Sequence, residues 1–168
     1  MSDPERHRPY PPTFHLRHAE PADAEQWQRL RAALWPDQDA ASLTADVRRF
    51  FAAAERGPGT MPEAVLVAVD DAGQSLVGFA EVSRRAYAEG CETSPVGFLE
   101  GWYVSPEHRR QGVGRALVAT AEAWARSLGC REFASDALAD NMLSATAHQA
   151  LGFEEVEVIR CFRKSLHG

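Results

Sequence analysis

A short segment, residues 104–117, brings arginines and glycines together and reads VSPEHRRQGVGRAL. Its pattern predicts the end of a strand, a turn, and a helix that begins at about Gly112. Gly112 and Gly114 carry no Cβ, so a ligand can approach their backbone closely. The first amides of a helix have no partners within it and lie at the positive end of its dipole. The segment also carries three cationic side chains, those of Arg109, Arg110 and Arg115. These features predict an anion site, most naturally for a pyrophosphate.

The same segment has a second interpretation, because glycine-containing loops before helices are common and many of them bind nothing. Two kinds of nucleotide site are excluded by its pattern. It lacks the G-x-x-x-x-G-K-[ST] of a P-loop, and it lacks the G-x-G-x-x-G of a dinucleotide-binding turn. An anion site of another kind is therefore the hypothesis to test.

An acidic residue, Glu100, interrupts the otherwise apolar strand predicted at Val96–Val104. Regular alternation places Phe98, Glu100, Trp102 and Val104 on one face, and Leu99 and Tyr103 on the other. Glu100 then has two interpretations. It forms a salt bridge or lies at an exposed strand end, or it faces a substrate cleft and binds an ammonium group.

A second carboxylate, Asp136, ends the strand predicted at Glu132–Ser135. In open α/β sheets the carboxyl ends of the strands border the ligand cleft, so Asp136 is well placed for a site. Asp is also common in turns, where its side chain bonds to the backbone, and Asp136 can simply cap the turn. Glu100 and Asp136 are therefore the first candidates for substrate binding and proton transfer.

One α/β domain with a mixed central sheet flanked by helices is predicted to position these residues. Residues 1–12 hold four of the ten prolines and are predicted to form a flexible tail, so the domain spans residues 13–168. The predicted strands are Phe14–His18, Ala64–Asp70, Leu76–Arg84, Val96–Val104, Glu132–Ser135 and Glu154–Arg163. The predicted helices are one that begins at Pro21 and three at about Ser42–Arg56, Gly112–Leu128 and Met142–Leu151.

The composition is that of an ordinary globular protein of 168 residues, with 45% apolar and 25% charged residues. No apolar run reaches the roughly 18 residues of a membrane span, and the first residues lack the apolar core of a secretory signal. Three cysteines, Cys91, Cys130 and Cys161, form no C-x-x-C pair; this argues against a disulfide scaffold or a zinc site and suits a cytoplasmic location. A net charge of -6 disfavours nucleic acid and anionic membranes as partners and favours a cationic one.

Residues 109–114 resemble the acyl-CoA signature of the GCN5-related N-acetyltransferase superfamily, Arg/Gln-x-x-Gly-x-Gly/Ala, which Arg109, Gly112 and Gly114 fulfil. Downstream, Asp140-Asn141 and Ala150-Leu151-Gly152-Phe153 are similar to the second motif of that superfamily. The order of the predicted elements over residues 14–163 also agrees. The resemblance implies the single-domain fold of that superfamily, acetyl-CoA as co-substrate, and no metal.

Three further segments, residues 94–101, 129–136 and 148–155, look like the aminoglycoside 6'-N-acetyltransferases, in particular a chromosomal branch that forms dimers. The resemblance is close from Tyr87 to the C-terminus, and before that it rests on Leu34-Trp35-Pro36. It implies transfer of an acetyl group from acetyl-CoA to the 6'-amine of an aminoglycoside, by direct attack of the amine with general-base assistance. It also implies a homodimer formed through the final strand.

The resemblance, together with the position of each residue, assigns roles within the site. Asp136 is the expected general base, or the residue that positions a water for that step, and Glu100 is expected to act with it. The expected substrate contacts are Trp35, Tyr87, Glu100, Asp136 and Glu157. The expected acetyl-CoA contacts are Trp102, Tyr103, Val104, Arg109, Arg110, Gln111, Gly112, Val113, Gly114, Arg115 and Asn141. His148 stands where many members have a tyrosine that protonates the departing thiolate; it takes that role or serves as a packing residue.

Two other functions fit the same patterns. The first keeps the chemistry but changes the acceptor to another small amine, a polyamine or a protein N-terminus, because fold and acyl-CoA motif do not determine the acceptor. The second is a non-catalytic module that binds acyl-CoA. The residues that favour the aminoglycoside are Trp35, Tyr87, Glu100, Asp136 and Glu157.

Overall fold

A mixed sheet of five strands forms the centre of the computed structural model, which describes residues 13–52 and 61–166. The strands are β1 (Phe14–His18), β2 (Ala64–Asp70), β3 (Leu76–Arg85), β4 (Val96–Val104) and β5 (Phe133–Ser135). They lie in the sheet in the order of the chain, and β1 to β4 pair antiparallel. Because β5 pairs parallel to β4, the sheet is mixed, as predicted.

Within the described residues, four helices pack around this sheet. They are α1 (Ala24–Leu34), α2 (Ala40–Ala52), α3 (Val113–Ser127) and α4 (Met142–Ala150), and a 3-10 turn at Pro21–Asp23 leads into α1. α1 and α2 bury Trp27, Val47 and Phe50 against one face, where they meet Val67 and Phe79. α3 buries its apolar side against the other face. No helix in the described ranges is long and apolar enough to cross a membrane.

The predicted bounds hold for most elements of the chain. β1, β2 and β4 have the predicted bounds, β3 is one residue longer, and β5 begins one residue later. The predicted tail and the predicted end of the second helix, at Arg56, lie outside the described residues. The final strand, Glu154–Arg163, is a wrong prediction for the single chain. Residues 153–166 form no strand and pair with no strand within the described residues.

A β-bulge interrupts the pairing of β3 with β4. Glu81 of β3 pairs with Gly101, but the next residue, Val82, pairs with Leu99. Glu100 is therefore an extra residue in β4, opposite no partner of its own. The bulge shifts every later side chain of β4 to the face opposite the one that regular alternation predicts.

The predicted faces of β4 are accordingly wrong beyond the bulge. Trp102 and Val104 pack with Leu99 in the core beneath α3, and Phe98 belongs to a separate cluster. Tyr103 packs on the other face, with the core beneath α1 and α2. The prediction assumed a regular strand, and one extra residue reverses the alternation.

β4 is much longer than the part of it that β5 covers. The parallel pairing joins Gly97–Leu99 of β4 to Phe133–Ser135 of β5. From Glu100 to Val104, the side of β4 that faces β5 pairs with no strand of the described chain, and we call this stretch the open edge of β4. Backbone amides and carbonyls are strong hydrogen-bonding groups, so the open edge offers an extended ligand the partners that a neighbouring strand would have.

A buried ion pair ties α1 to the sheet. Arg31 Nε donates to Glu81 Oε1 at 2.7 Å, and Trp27 Nε1 donates to the same oxygen at 3.0 Å. A second Arg31 nitrogen, Nη1, lies 3.3 Å from the carboxylate of Asp46. The side chains of Arg31 and Glu81 are only 8% and 3% exposed. Burial raises the pKa of Glu81 to about 7, although Arg31 and Trp27 act in the opposite direction.

Candidate active site

The start of α3 forms a backbone cradle beyond the end of β4. Gly112 is the N-cap of this helix, with a left-handed φ of 87° that favours glycine. A Cβ at Gly112 would meet no described atom within 4 Å outside its own turn, so the backbone there is accessible to a ligand. The first amides of α3, from Val113 onward, have no acceptors within the helix. The cradle therefore has the chemistry that a pyrophosphate requires.

The three arginines of this segment have different environments. Arg109 Nε donates to the carbonyl of Val104 at 3.0 Å. Arg115 Nη2 donates to the carbonyl of Ala150 at 3.2 Å, at the end of α4. Arg110 is exposed and has a left-handed φ of 60°. Because a guanidinium has five N–H groups, both tethered arginines keep donors for an anion.

The other expected acetyl-CoA contacts lie along the same path. The open edge of β4 includes Trp102, Tyr103 and Val104. Gly114 lets α3 approach this strand closely, since a Cβ there would lie 2.7 Å from the ring of Trp102. Gln111 donates to a backbone carbonyl of its own turn at 2.7 Å, and Val113 is buried in the core. Of these residues, Val113 offers a ligand only its backbone.

Glu100 and Asp136 follow two residues that face each other in neighbouring strands. Leu99 of β4 and Ser135 of β5 face each other in the register of the two strands. Glu100 directly follows Leu99, and Asp136 directly follows Ser135. Asp136 is exposed directly beyond the end of β5. The structure therefore places the backbones of the two acidic residues that the sequence singled out at adjacent points, one in β4 and one just beyond β5.

Glu100 already has a cationic partner within the chain. Arg85, the last residue of β3, donates to both carboxylate oxygens, with Nε 3.1 Å from Oε1, and Ser83 donates to Oε1 as well. The side chains of Glu100 and Arg85 are 11% and 30% exposed. The interpretation that Glu100 forms a salt bridge is therefore confirmed. Sequence reasoning missed Arg85, although its spacing from Ser83 places both on one face of β3.

The indole of Trp35 covers the backbone next to the bulge. Its ring lies 2.6 Å from the position that a Cβ of Gly101 would occupy. The guanidinium of Arg31 lies 5.0 Å from the indole centroid, and the ring of Phe79 lies 6.4 Å from it. Trp35 thus stands beside Glu100, and the requirement for glycine at residue 101 is one that sequence reasoning did not identify.

Two of the expected substrate contacts lie on exposed segments. Tyr87 is exposed in the loop after β3, and Glu157 is exposed on residues 153–166. The side chain of Val156 lies 2.6 Å from where a Cβ of Gly90 would be, so this segment touches the loop that carries Tyr87. The segment that carries Glu157 therefore contacts the loop that carries Tyr87, and both side chains remain exposed.

His148 is held by hydrogen bonds at both ring nitrogens. Nδ1 lies 2.8 Å from the carbonyl of Ser144, which only accepts, so this nitrogen carries a proton. Nε2 lies 2.9 Å from Ser135 Oγ and so joins α4 to β5. The side chain of Asn141 accepts from the Ser144 amide at 3.1 Å and caps α4. His148 thus has the structural role that the sequence left open, and Asn141 is the cap of α4. The centroid of the His148 ring lies 5.9 Å from that of Trp102.

The cysteines are poorly suited to nucleophilic catalysis. Burial raises the pKa of the Cys91 thiol and that of the Cys130 thiol, so neither forms a thiolate readily. Cys161 is exposed on residues 153–166, apart from the sheet. Over residues 13–52 and 61–166, no three His, Cys, Asp or Glu side chains are grouped as a metal site.

The sequence is similar to a known family and to named enzymes. Residues 27–153 match the model of the acetyltransferase (GNAT) family. A Klebsiella aerogenes protein named aminoglycoside N(6')-acetyltransferase type 1 is 49% identical over 151 residues, which are 90% of this chain and 96% of that protein. A protein of the same name from Stenotrophomonas maltophilia is 47% identical over 152 residues, which are 90% of this chain and 93% of that protein.

The fold is similar to solved structures over nearly the whole chain. The structure of AAC(6')-Iy in complex with the bisubstrate analog CoA-S-monomethyl-acetylneamine gives a TM-score of 0.78 at 37% identity, covering 90% of this chain and 98% of that one. The aminoglycoside antibiotic 6'-N-acetyltransferase AAC(6')-Ih from Acinetobacter baumannii gives a TM-score of 0.79 at 38% identity, covering 92% of this chain and 99% of that one.

Proposed function

Because the chain belongs to the acetyltransferase (GNAT) family, we propose that it transfers the acetyl group of acetyl-CoA to the 6'-amine of an aminoglycoside. It is an acetyl-CoA-dependent N-acetyltransferase, as predicted. The observation that carries the choice of acceptor is the similarity, over most of the chain, to aminoglycoside N(6')-acetyltransferases. The net charge of -6 suits such an acceptor, because aminoglycosides are polycations.

Two backbone features support the binding of acetyl-CoA. The amides at the start of α3 are available to the pyrophosphate, and Gly112 allows its close approach. The open edge of β4 is available to the pantetheine arm, whose amide groups bond as a peptide strand does. In this arrangement, an amide of Trp102–Val104 polarises the acetyl carbonyl.

The acceptor amine attacks the thioester carbon directly. A C–N bond forms, the C–S bond breaks, the amine loses a proton, and the CoA thiolate gains one. Asp136, exposed beyond β5, accepts the amine proton directly or through a water. His148, as an imidazolium, is the candidate to protonate the thiolate from Nε2, which requires its hydrogen bond to Ser135 to open; solvent is the alternative donor.

The acceptor is proposed to bind beside the bulge in β4. The aromatic ring of Trp35 suits both the apolar face of a sugar and its ammonium groups. Glu100 and Asp136 provide carboxylates at neighbouring points of the sheet. Tyr87 and Glu157 are proposed to add an aromatic ring and a third carboxylate from the exposed segments around the cleft.

Thiol release from acetyl-CoA tests this function. Purified protein is mixed with acetyl-CoA and with kanamycin A or tobramycin, which carry a 6'-amine, or with an aminoglycoside that carries a 6'-hydroxyl instead. We expect turnover only with the 6'-amine substrates. Turnover of polyamines or peptide N-termini alone would assign another acceptor. Tight binding of acetyl-CoA without turnover of any amine would identify a binding module.

The exposed C-terminal arm, residues 153–166, supports a homodimer, which we also propose. Its side chains Val156, Val158 and Phe162 are 61%, 68% and 92% exposed, an apolar surface typical of an interface. β5 is an edge strand, so within the described chain its outer side has no strand neighbour. An arm that adds to the sheet of a second copy would satisfy both backbones and bury these side chains.

Light scattering after size-exclusion chromatography tests the dimer. We expect the wild type to have about twice the chain mass of 18.5 kDa. Phe162→Asp places a charge in the proposed interface and is expected to raise the dimer dissociation constant by about 10-fold or more. Phe162→Leu keeps an apolar side chain and should remain dimeric. A wild type with the mass of a single chain at micromolar concentration would reject the dimer.

A further inference from the structure

The salt bridge between Arg85 and Glu100 lies where the acceptor is proposed to bind. Two guanidinium nitrogens of Arg85 donate to the two carboxylate oxygens, a bidentate geometry that is among the strongest ion pairs. Ser83 donates to Oε1 as well. A carboxylate has about four lone-pair positions, and these three bonds use most of them. An incoming ammonium group therefore meets a carboxylate whose charge is already cancelled.

The Arg85 side chain is held by two partners and remains partly exposed to solvent. Its guanidinium lies 3.4 Å from the ring centroid of Phe98, so an aromatic platform supports it independently of Glu100. Its side chain is 30% exposed, compared with 8% for the buried Arg31. Arg85 is also the last residue of β3, beside the loop that carries Tyr87. The guanidinium therefore has a second partner besides Glu100, and its partial exposure leaves it in reach of solvent.

We propose that Arg85 determines acceptor affinity as an internal cation, which neutralises Glu100 in the free protein and competes with the acceptor's ammonium group for that carboxylate. The inference rests on the proposed function, because it requires a cationic acceptor at Glu100. Without the charge of Arg85, Glu100 is free to pair with the acceptor, and the site gains one net negative charge. Both changes favour a polycation electrostatically. Arg85 thus stabilises the free site at the expense of acceptor binding.

Steady-state kinetics of Arg85→Gln with tobramycin test this role. Gln keeps a donor for Glu100 but removes the positive charge. We expect the KM for tobramycin to fall by about 5- to 10-fold at low salt, as the loss of one nearby repulsive charge in a partly solvated site predicts. The KM for acetyl-CoA should stay unchanged. The difference should shrink at high salt, because screening weakens interactions between exposed charges.

Two further variants serve as matched controls. Arg84→Gln removes the same charge from the neighbouring residue, whose side chain lies on the other face of β3 and pairs with Glu63. Its KM for tobramycin should stay within about twofold of the wild type, since that pair is not at the bulge. Arg85→Lys keeps the cation, so its KM for tobramycin should lie closer to that of the wild type than to that of Arg85→Gln. If Arg85→Gln fails to fold, Arg85→Met provides the same test of charge.

The outcomes separate this inference from the function on which it rests. An unchanged or higher KM for tobramycin in Arg85→Gln would overturn the inference, since Arg85 would then orient Glu100 rather than compete for it. A wild type that does not acetylate tobramycin would refute the proposed function instead. Even then, binding of tobramycin, measured as the rise in Tm of each variant, decides whether Arg85 weakens the site for a polycation. We expect a larger rise for Arg85→Gln than for the wild type.

Discussion

Asp136→Asn is expected to lower kcat/KM for tobramycin by about 10²- to 10⁴-fold, which is the usual contribution of a general base. Asp136 is exposed beyond β5, next to the register pair that ends the β4–β5 ladder. An asparagine has nearly the same shape, but its amide cannot accept the proton that the amine must lose. Rates of thiol release with and without the substitution measure the effect.

Two comparisons make the Asp136 result specific. Acetyl-CoA affinity, measured by titration, should be unchanged, because the proposed contacts of the donor are the start of α3 and the open edge of β4. Asp71→Asn makes the same chemical change in the turn between β2 and β3, where Asp71 bonds His15, and it should leave kcat/KM unaltered. A kcat/KM for Asp136→Asn within about threefold of the wild type would exclude the general-base role.

Arg31→Met is expected to lower the free energy of unfolding by about 3 to 5 kcal/mol at about pH 8, because it leaves Glu81 buried without its counter-charge. Met fills much of the space of the arginine stem, so the loss reports mainly on the charge. The loss should be smaller at about pH 6, where Glu81 takes up a proton, since its pKa is raised to about 7. Urea denaturation followed by tryptophan fluorescence measures both values.

The same helix offers a matched control for that substitution. Arg29→Met removes an arginine from the exposed side of α1, where it pairs with Glu25 one turn away. Such exposed pairs contribute about 0.5 kcal/mol or less, so this variant should be nearly as stable as the wild type. If Arg31→Met were equally stable, the buried pair would not be what holds α1 to the sheet.

The ionisation of Glu81 makes one contribution to the free energy of unfolding fall as the pH rises. Its pKa in the folded protein, about 7, lies above its ordinary value of 4.5, so the folded state binds the proton more tightly between these values. The stabilising contribution is full below about pH 4.5 and is lost as the pH rises through about 7. Glu81→Gln cannot ionise, so the difference in unfolding free energy between it and the wild type should change over this range. A constant difference would contradict this assignment.

Local patterns were sufficient to predict most of the sheet. β2 and β4 are apolar runs bounded by turn residues, and their bounds follow from the sequence alone. The bulge at Glu100 does not follow from the sequence, because it depends on how β4 aligns with β3. Neither strand shows an irregularity by itself. The final strand was predicted from its alternating pattern, which is present. What the pattern does not specify is a neighbouring strand, and among the described residues no strand pairs with this segment.

The candidate site likewise contains features that the sequence predicts and features that it does not. The cradle at Gly112 was predictable, because the residues that form it are consecutive and glycine has a specific backbone role. The partners of the charged side chains were not predictable. Arg31 reaches Glu81 across 50 positions of the chain, and Arg115 bonds a carbonyl 35 positions away. Such choices depend on tertiary packing, which short spacing rules do not contain.

Gly101 and Trp35 limit the routes by which this enzyme can evolve. The indole ring fills the space that a Cβ at residue 101 would need, at 2.6 Å, well inside van der Waals contact. A side chain at residue 101 thus becomes tolerable only after a smaller residue has replaced Trp35, and that first step removes the ring from the proposed acceptor site. Exposed positions such as Tyr87 are free of this constraint. New acceptor preferences are therefore accessible by single mutations in the loop, whereas the route through Gly101 requires two mutations in a set order.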